Sequence, residues 1–494
     1  MHNVSSSRQQ FFVCYSAYLV LFFTVLLSDR LYIDDIARSI DGHFGWTEAG
    51  RPLADLVIYL INLGSPLINI APLPQLISIA IVSYAATKII SNYRVDKPVI
   101  AALCTLPLAG QPYFLENISY CFDSPTMALG ILFSIDAAIH INKDKIFDKL
   151  LAVIYIFLTL TLYQAALSVF FVSYLFMFLR DINPRLSPII LLKKLVTIAI
   201  CTALALTAYI PITRLTLSKY GASHSAVLPL HKLHNGLYDN LYNYIQILHV
   251  DWGGNFVGYV MVILVMTAFL TFILSALYKD GDLVSKLFYV FIILLGLPAI
   301  VFASYCPQII LNNVVWAPRT FIGIGAILAL SCLQIYSFCS NSYTENSRYK
   351  KLILTAPIYA LAYSLIVFSF SFAKANASQK DFEAHRLATL VSDAEDVVLN
   401  HSINSIGFIG SIGQSPLVHN SMRKFPLIER LVRPHLNGNW WWGHKQLQSI
   451  GFSLNHIDLN DNDRELCKTK TLAINKAFYS MYTYDDKLIV IFKQ

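Results

Sequence analysis

The sequence predicts a polytopic α-helical membrane protein of about 11 transmembrane helices, ending in a small α/β domain. Three observations carry that reading. Apolar side chains supply 56% of the 494 residues and charged ones only 14%, against about a quarter charged in an ordinary globular chain. The apolar residues gather into runs long enough to cross roughly 30 Å of hydrocarbon as helices. After Phe372 the composition turns polar and stays so, which leaves enough chain for a core of its own.

The first run, 11–28, has no small-residue cleavage site and reads as a retained span. Further runs lie at 75–92, 98–110, 125–141, 149–163, 165–180, 192–212, 256–278, 286–304, 319–339 and 352–373. Residues 53–63, LADLVIYLINL, are too short to span and are bracketed by Gly50-Arg51-Pro52 and Gly64-Ser65-Pro66. They are placed flat on the outer surface. Letting them span would invert every later loop, because Arg94, Lys97, Lys143, Lys145, Arg180, Lys193, Lys194, Lys279 and Lys286 fall in alternate short connections. Those connections read as cytoplasmic. The amino terminus is then cytoplasmic, and 29–74, 111–124, 213–255, 305–318 and the chain beyond 374 lie outside.

The division expected is therefore a membrane domain over 1–373, with 29–74 as its first outer loop, and an extracytoplasmic α/β domain over 374–494. In the latter, 379–400 repeats apolar residues at helical spacing. Residues 404–412, 469–481 and 486–493 read as strands, the last two forming a hairpin around Asp485-Asp486. The Trp440-Trp441-Trp442 cluster suits either a sugar face or the bilayer interface.

A formal charge of +7 is spread through short loops rather than along a stripe, so nucleic acid is not an expected partner. The eight cysteines show no CxxC and no metal spacing. Cys121, Cys306 and Cys467 fall in outer segments and are not expected to pair. His231 and His234 lack any acidic or cysteine partner at ligand spacing, so 213–255 reads as a solvated or substrate-facing loop rather than a zinc site.

The chemistry centres on 31–51, LYIDDIARSIDGHFGWTEAGR, where water first returns after the opening span. Ionisable groups at such a boundary are candidates for function, though a solvated juxtamembrane helix would also fit. If 34–41 is helical, Asp34, Arg38 and Asp41 share one face and Asp35 can meet Arg38. The other outer segments offer Glu116 and Asp123, Tyr163 and Gln164, Lys232, and Trp316 and Arg319. Carboxylates, amides, rings and isolated cations at a membrane boundary suit a polyprenyl phosphate-linked sugar. The tail needs lipid, the phosphate a cation, the sugar stacking and hydrogen bonds, and a carboxylate can act as general base toward an acceptor hydroxyl. No nucleotide-binding fingerprint occurs. A flippase of lipid-linked sugar is the main alternative, but the spans are almost free of charge and show no matching halves. An acyltransferase would need a histidine-centred site, and none stands out.

YIDDIARSIDGHFGW, followed by GRPLADLVIYLI and PLPQLISIA, and TLYQAALSVF at 161–170, resemble the bacterial and phage-encoded serotype-converting O-antigen glucosyltransferases. The span pattern extends that resemblance over nearly the whole chain. It implies an inner-membrane enzyme of GT-C type that moves glucose from undecaprenyl phosphate glucose to an O-antigen sugar on the periplasmic face, with inversion. Partner proteins in such systems make the lipid-linked glucose and flip it. Carried onto this chain, the resemblance makes Asp34 or Asp35 the catalytic base and Arg51 and Arg319 the groups for the lipid phosphate, with Arg38 and Lys232 behind them. Glu116, Asp123, Tyr163 and Gln164 become sugar contacts, and Trp316 is a further candidate for substrate binding. It assigns no cofactor and leaves dependence on a divalent metal open.

Overall fold

Apolar windows become helices wherever they have the length. In the computed structural model, which describes residues 6–182, 188–279, 281–340, 348–438, 440–459 and 471–493, nine helices are long and apolar enough to cross a membrane. They are Ser7–Leu26, Leu73–Tyr93, Ser124–Ile141, Gln164–Asp181, Pro188–Thr216, Phe256–Tyr278, Leu283–Ala303, Gly323–Ser340 and Tyr349–His401. Two further expected spans are shorter. The 98–110 run breaks into Pro98–Thr105 and Pro107–Gly110, since Pro107 lacks the N–H that would continue the ladder. The 149–163 run is the 17-residue helix Ile146–Leu162.

The described residues divide into two compact units: Met1–Leu26, Phe44–Gly64 and Ile70–Phe370 in the first, and Leu27–His43, Ser65–Asn69 and Ser371–Gln494 in the second. This differs from the division expected from composition, which kept 29–74 whole within the membrane domain. The first unit is a helical bundle. Ser124–Ile141 packs against both Leu73–Tyr93 and Ile146–Leu162, using small residues where helices come close. A Cβ on Gly130 would sit 3.1 Å from the Cβ atoms of Tyr163 and Ala166.

Two expected outer loops are corrected. Residues 111–124 are almost wholly buried and include the helix Phe114–Ser119. The 213–255 segment is largely helical, as Lys219–Ser225 and Leu233–Trp252, with Ser218 capping the first through Gly221 N–H. Tyr113 explains part of this: its hydroxyl donates to buried Asp251 at 2.8 Å and accepts from Trp252 Nε1 at 2.9 Å, so polar side chains read as solvated are satisfied internally.

The second unit holds a five-stranded sheet of β1 Ser405–Ile409, β2 Asn455–His456, β3 Thr471–Asn475, β4 Tyr479–Tyr484 and β5 Lys487–Phe492, in the order β2-β1-β5-β4-β3. β1 runs parallel to β2 and β5, while β3, β4 and β5 are antiparallel. Asp485, at φ 51°, turns the expected hairpin between β4 and β5. Alternate strand residues Ile406, Phe408, Leu488 and Val490 face a core completed by Leu387, Leu390 and Ala394 at helical spacing. Those three belong to a single 54-residue helix, Arg348–His401, about 80 Å long, that continues from the first unit into the second. The separate runs expected at 352–373 and 379–400 are thus one helix, because the change in polarity at 374 interrupts hydropathy but not the backbone ladder. β2 and the helices Pro416–Lys424, Leu427–Leu431 and Trp441–Ser449 were not expected. Among the described residues Cys121 and Cys306 form no disulfide; Cys467 lies outside them.

Candidate active site

In the second unit, the expected helix forms as Asp34–Asp41, closed by Gly42 at φ 64°. A side chain at Gly42 would be strained by that φ, and its Cβ would come within 2.7 Å of Pro66 Cβ. Asp34 and Asp35 occupy the first turn, where the helix dipole favours anions. Their surroundings differ. Asp35 is fully buried, while Asp34 is half-buried and accepts the indole N–H of Trp442 at 2.8 Å. On the same face, Asp41 accepts from Lys445 at 2.7 Å. The helix Trp441–Ser449 therefore clasps Asp34–Asp41 through the face that its spacing defines.

A buried network anchors this helix pair to the rest of the unit. Arg30 donates to both oxygens of Glu383, at 3.0 and 3.1 Å, and to Asn376 at 3.1 Å. Glu383 also accepts from Gln379, from Gln446 and from the backbone N–H of His435. Burial, reinforced by the Arg30 charge and opposed by Glu383, pushes the His435 imidazole down to about 3. His435 is thus neutral near pH 7, and its 3.4 Å approach to Glu383 is not an ion pair.

In the first unit, a second cluster forms around Tyr163. Its hydroxyl donates to the carbonyl of Arg319 at 2.6 Å, and Asn117 Nδ2 reaches both Tyr163 and that carbonyl at 3.3 Å. Glu116 accepts the Arg319 backbone N–H at 2.6 Å and its Nη1 at 2.8 Å, while Tyr120 accepts the same Nη1 at 2.8 Å. Arg51 is held loosely, with Nη1 3.5 Å from Asp123 Oδ1. That oxygen takes its short hydrogen bond, 2.6 Å, from Trp46 Nε1.

The Arg51 turn is built with care. Asp55 accepts the backbone N–H groups of Gly45, Trp46 and Thr47, an anion in a nest of amides. Gln164 Nε2 and the Tyr209 hydroxyl donate to Gly50 O at 3.1 and 2.9 Å. Gly50 has φ 75°, and a Cβ there would meet Tyr209 Oη at 2.9 Å.

Of the expected site residues, Arg51, Glu116, Asp123, Tyr163, Gln164 and Arg319 converge in the first unit. Glu116 and Gln164 face protein groups: the former holds Arg319, the latter the turn before Arg51. Trp316 stacks on Tyr305 at 5.3 Å. Lys232 is exposed in the turn Leu230–Lys232 and makes no hydrogen bond or ion pair with the cluster among the described residues. Asp34, Asp35 and Arg38 belong to the second unit. Sequence reasoning missed Asp55, Arg30, Glu383 and the pairing of Trp46 with Asp123; only the tryptophan triplet signalled Trp442. Among the described residues, no group of three His, Cys, Asp or Glu side chains has metal-holding geometry.

Nine helices of membrane-spanning length and composition among the described residues make this a membrane protein, and the comparisons with known proteins make it a glycosyltransferase. The chain belongs to the glucosyl transferase GtrII family, which matches residues 23–330 and so takes in every site residue expected from the sequence. It is also 26% identical over 444 residues to an uncharacterized 55.3 kDa protein in the gtrB 5' region of Salmonella phage P22, covering 89% of each chain. No solved structure matches.

Proposed function

We propose that this glucosyl transferase moves glucose from undecaprenyl phosphate glucose to an O-antigen sugar on the periplasmic face of the bacterial inner membrane, with Asp34 as general base. The carrying observation is the difference between the two acids: Asp34 is accessible and oriented by Trp442, whereas Asp35 is sealed. Asp34 takes the proton of the acceptor hydroxyl as its oxygen attacks C1 of glucose, and the bond from C1 to the phosphate oxygen breaks. The leaving polyprenyl phosphate gains one negative charge, which Arg51 and Arg319 stabilise. Attack from the face opposite the phosphate inverts the anomeric centre. Arg51 is the more available cation because its ion pair is long, while Arg319 is committed to Glu116. Arg38, Lys232, Glu116, Asp123, Gln164 and Trp316 act in support.

The charge bias supports a cytoplasmic amino terminus and a periplasmic domain from 374 onward. The lipid-linked glucose comes from a synthase and a flippase. In sealed inner-membrane vesicles given radiolabelled undecaprenyl phosphate glucose and O-antigen acceptor, label is expected on the polysaccharide, and Asp34→Asn is expected to abolish it while the protein remains inserted. Label that crosses the membrane without reaching polysaccharide would make the protein a flippase instead.

A further inference from the structure

We propose that the second unit carries a binding subsite for one neutral sugar ring of the acceptor, in the pocket between the helix Trp441–Ser449 and residues 452–456. The inference rests on the transfer reading above and names where that reaction's acceptor is held. The pocket has a volume of about 210 Å³ and a rim of Lys445, Gln448, Ser453, Asn455 and His456, with the ring of Trp441 along one side. That is room for a single hexose.

Three features fit a sugar. The first is the fate of the three tryptophans. Trp442 is tied to Asp34, and Trp440 packs edge-on against Trp442 at 5.3 Å, but Trp441 is 46% exposed. Lys445 lies 5.1 Å from the Trp441 ring centre and is itself held by Asp41 and Gln448, so the indole is fixed rather than free to collapse. An aromatic face beside amides and imidazoles matches the two-sided character of a pyranose, apolar on its C–H face and polar at its hydroxyls.

The second feature is an unsatisfied atom. His444 Nε2 is buried and, among the described residues, has no hydrogen-bond partner. Burial, with the neighbouring His456 ring at 3.8 Å, lowers His444 to about 4, so it is a neutral imidazole near pH 7. A buried nitrogen without a partner is costly; shielded as it is, it meets a ligand hydroxyl when the His444 ring, which lines the pocket, turns toward the ligand. His456 is oriented by Asp458 at 2.8 Å.

The third is charge. Among the described residues, Lys445 is the one lysine or arginine of the lining and it is paired with Asp41, so it is already engaged and suits a neutral ligand better than a phosphate. The polar rim also argues against insertion of Trp441 into a bilayer. Because the same helix presents Trp441 to the pocket and Trp442 to Asp34, an acceptor ring held here lies on the element that orients the base.

The test uses the full-length protein in nanodiscs and, as probe, O-antigen polysaccharide released from lipid A by mild acid. In Asp34→Asn protein, saturation-transfer NMR is expected to show the polysaccharide bound, and adding Trp441→Ala to abolish the signal. In active protein, Trp441→Ala is expected to raise KM for polysaccharide at least tenfold without changing KM for undecaprenyl phosphate glucose; Asn455→Ala should act in the same direction and Trp441→Phe should restore most of the loss. If wild-type protein transfers glucose but both alanine variants keep the wild-type KM for polysaccharide, the subsite is wrong and the transfer reading stands. If nothing transfers glucose but the NMR signal still depends on Trp441, the subsite stands and the transfer reading falls. Tryptophan quenching by brominated acyl chains in the nanodisc that disappears in Trp441→Ala, with polysaccharide binding intact, would make Trp441 a membrane anchor and overturn the proposal.

Discussion

Asp34 and Asp35 are adjacent and chemically identical, yet they differ in what removing each should do. Asp34 meets solvent and Trp442, so Asp34→Asn is expected to cut transfer by at least about 100-fold, within the range of lost general-base catalysis, with thermal stability near wild type. Asp35 is fully buried, so Asp35→Ala is expected to cost about 1–3 kcal/mol of stability, seen as a lower melting temperature in detergent. The two arginines separate by the same logic. Arg51→Ala leaves Asp123 still bonded to Trp46, and should lower turnover by about 100-fold with little change in melting temperature, Arg51→Lys recovering part of it. Arg319→Ala strips Glu116, whose side chain is 3% exposed, of its ion pair, and should destabilise the protein as well as slow it. Equal melting temperatures for the two arginine variants would contradict this division.

At the level of elements, the Arg30–Glu383 pair ties the chain leaving the first span to the long helix Arg348–His401 and thereby holds Asp34–Asp41 against Trp441–Ser449. Both side chains are almost fully buried, 3% and 1% exposed. Arg30→Ala should therefore cost about 3–5 kcal/mol, as breaking one partner of a buried pair does, measured as loss of cooperative unfolding of the second unit. The same network predicts acid sensitivity. His435 sits at about 3 in the folded chain, while the unfolded chain titrates near 6.5. Between those values the unfolded state binds the extra proton, so the contribution of His435 to stability is fully present above pH 6.5 and is lost as pH falls toward 3. His444, at about 4, adds to the same slope. Melting temperature against pH should show the decline, and His435→Gln should flatten it.

For the molecule as a whole, what could be read from the sequence was what is local. Hydropathy marks spans because each helix must satisfy its own backbone in lipid, and the shared face of Asp34, Arg38 and Asp41 follows once 34–41 is helical. The β4–β5 hairpin follows from its turn residues. The membership of 27–43 in the second unit could not be read, because it depends on Arg30 finding Glu383 far along the chain and on Trp442 finding Asp34. The polarity change at 374 misled for a related reason: one helix serves two environments, and composition reports environment rather than backbone. Glu116 and Gln164 looked like ligands for sugar because no local pattern announces that Arg319 and Gly50 will use them. Sidedness, by contrast, is a matter of charge bias over the whole chain, and the proposed transfer depends on it because it places the reaction on the periplasmic face. The test is a pair of single cysteines at exposed positions. Ser449, beside the Trp441 pocket, and Lys143, in a lysine-rich connection, are both open to solvent. With a membrane-impermeant maleimide and wild-type protein as background, Ser449→Cys should label in cells whose outer membrane alone has been permeabilised. Lys143→Cys should label only after the inner membrane is broken. The reverse pattern would put Asp34 and the Trp441 pocket in the cytoplasm and contradict the proposed transfer on the periplasmic face.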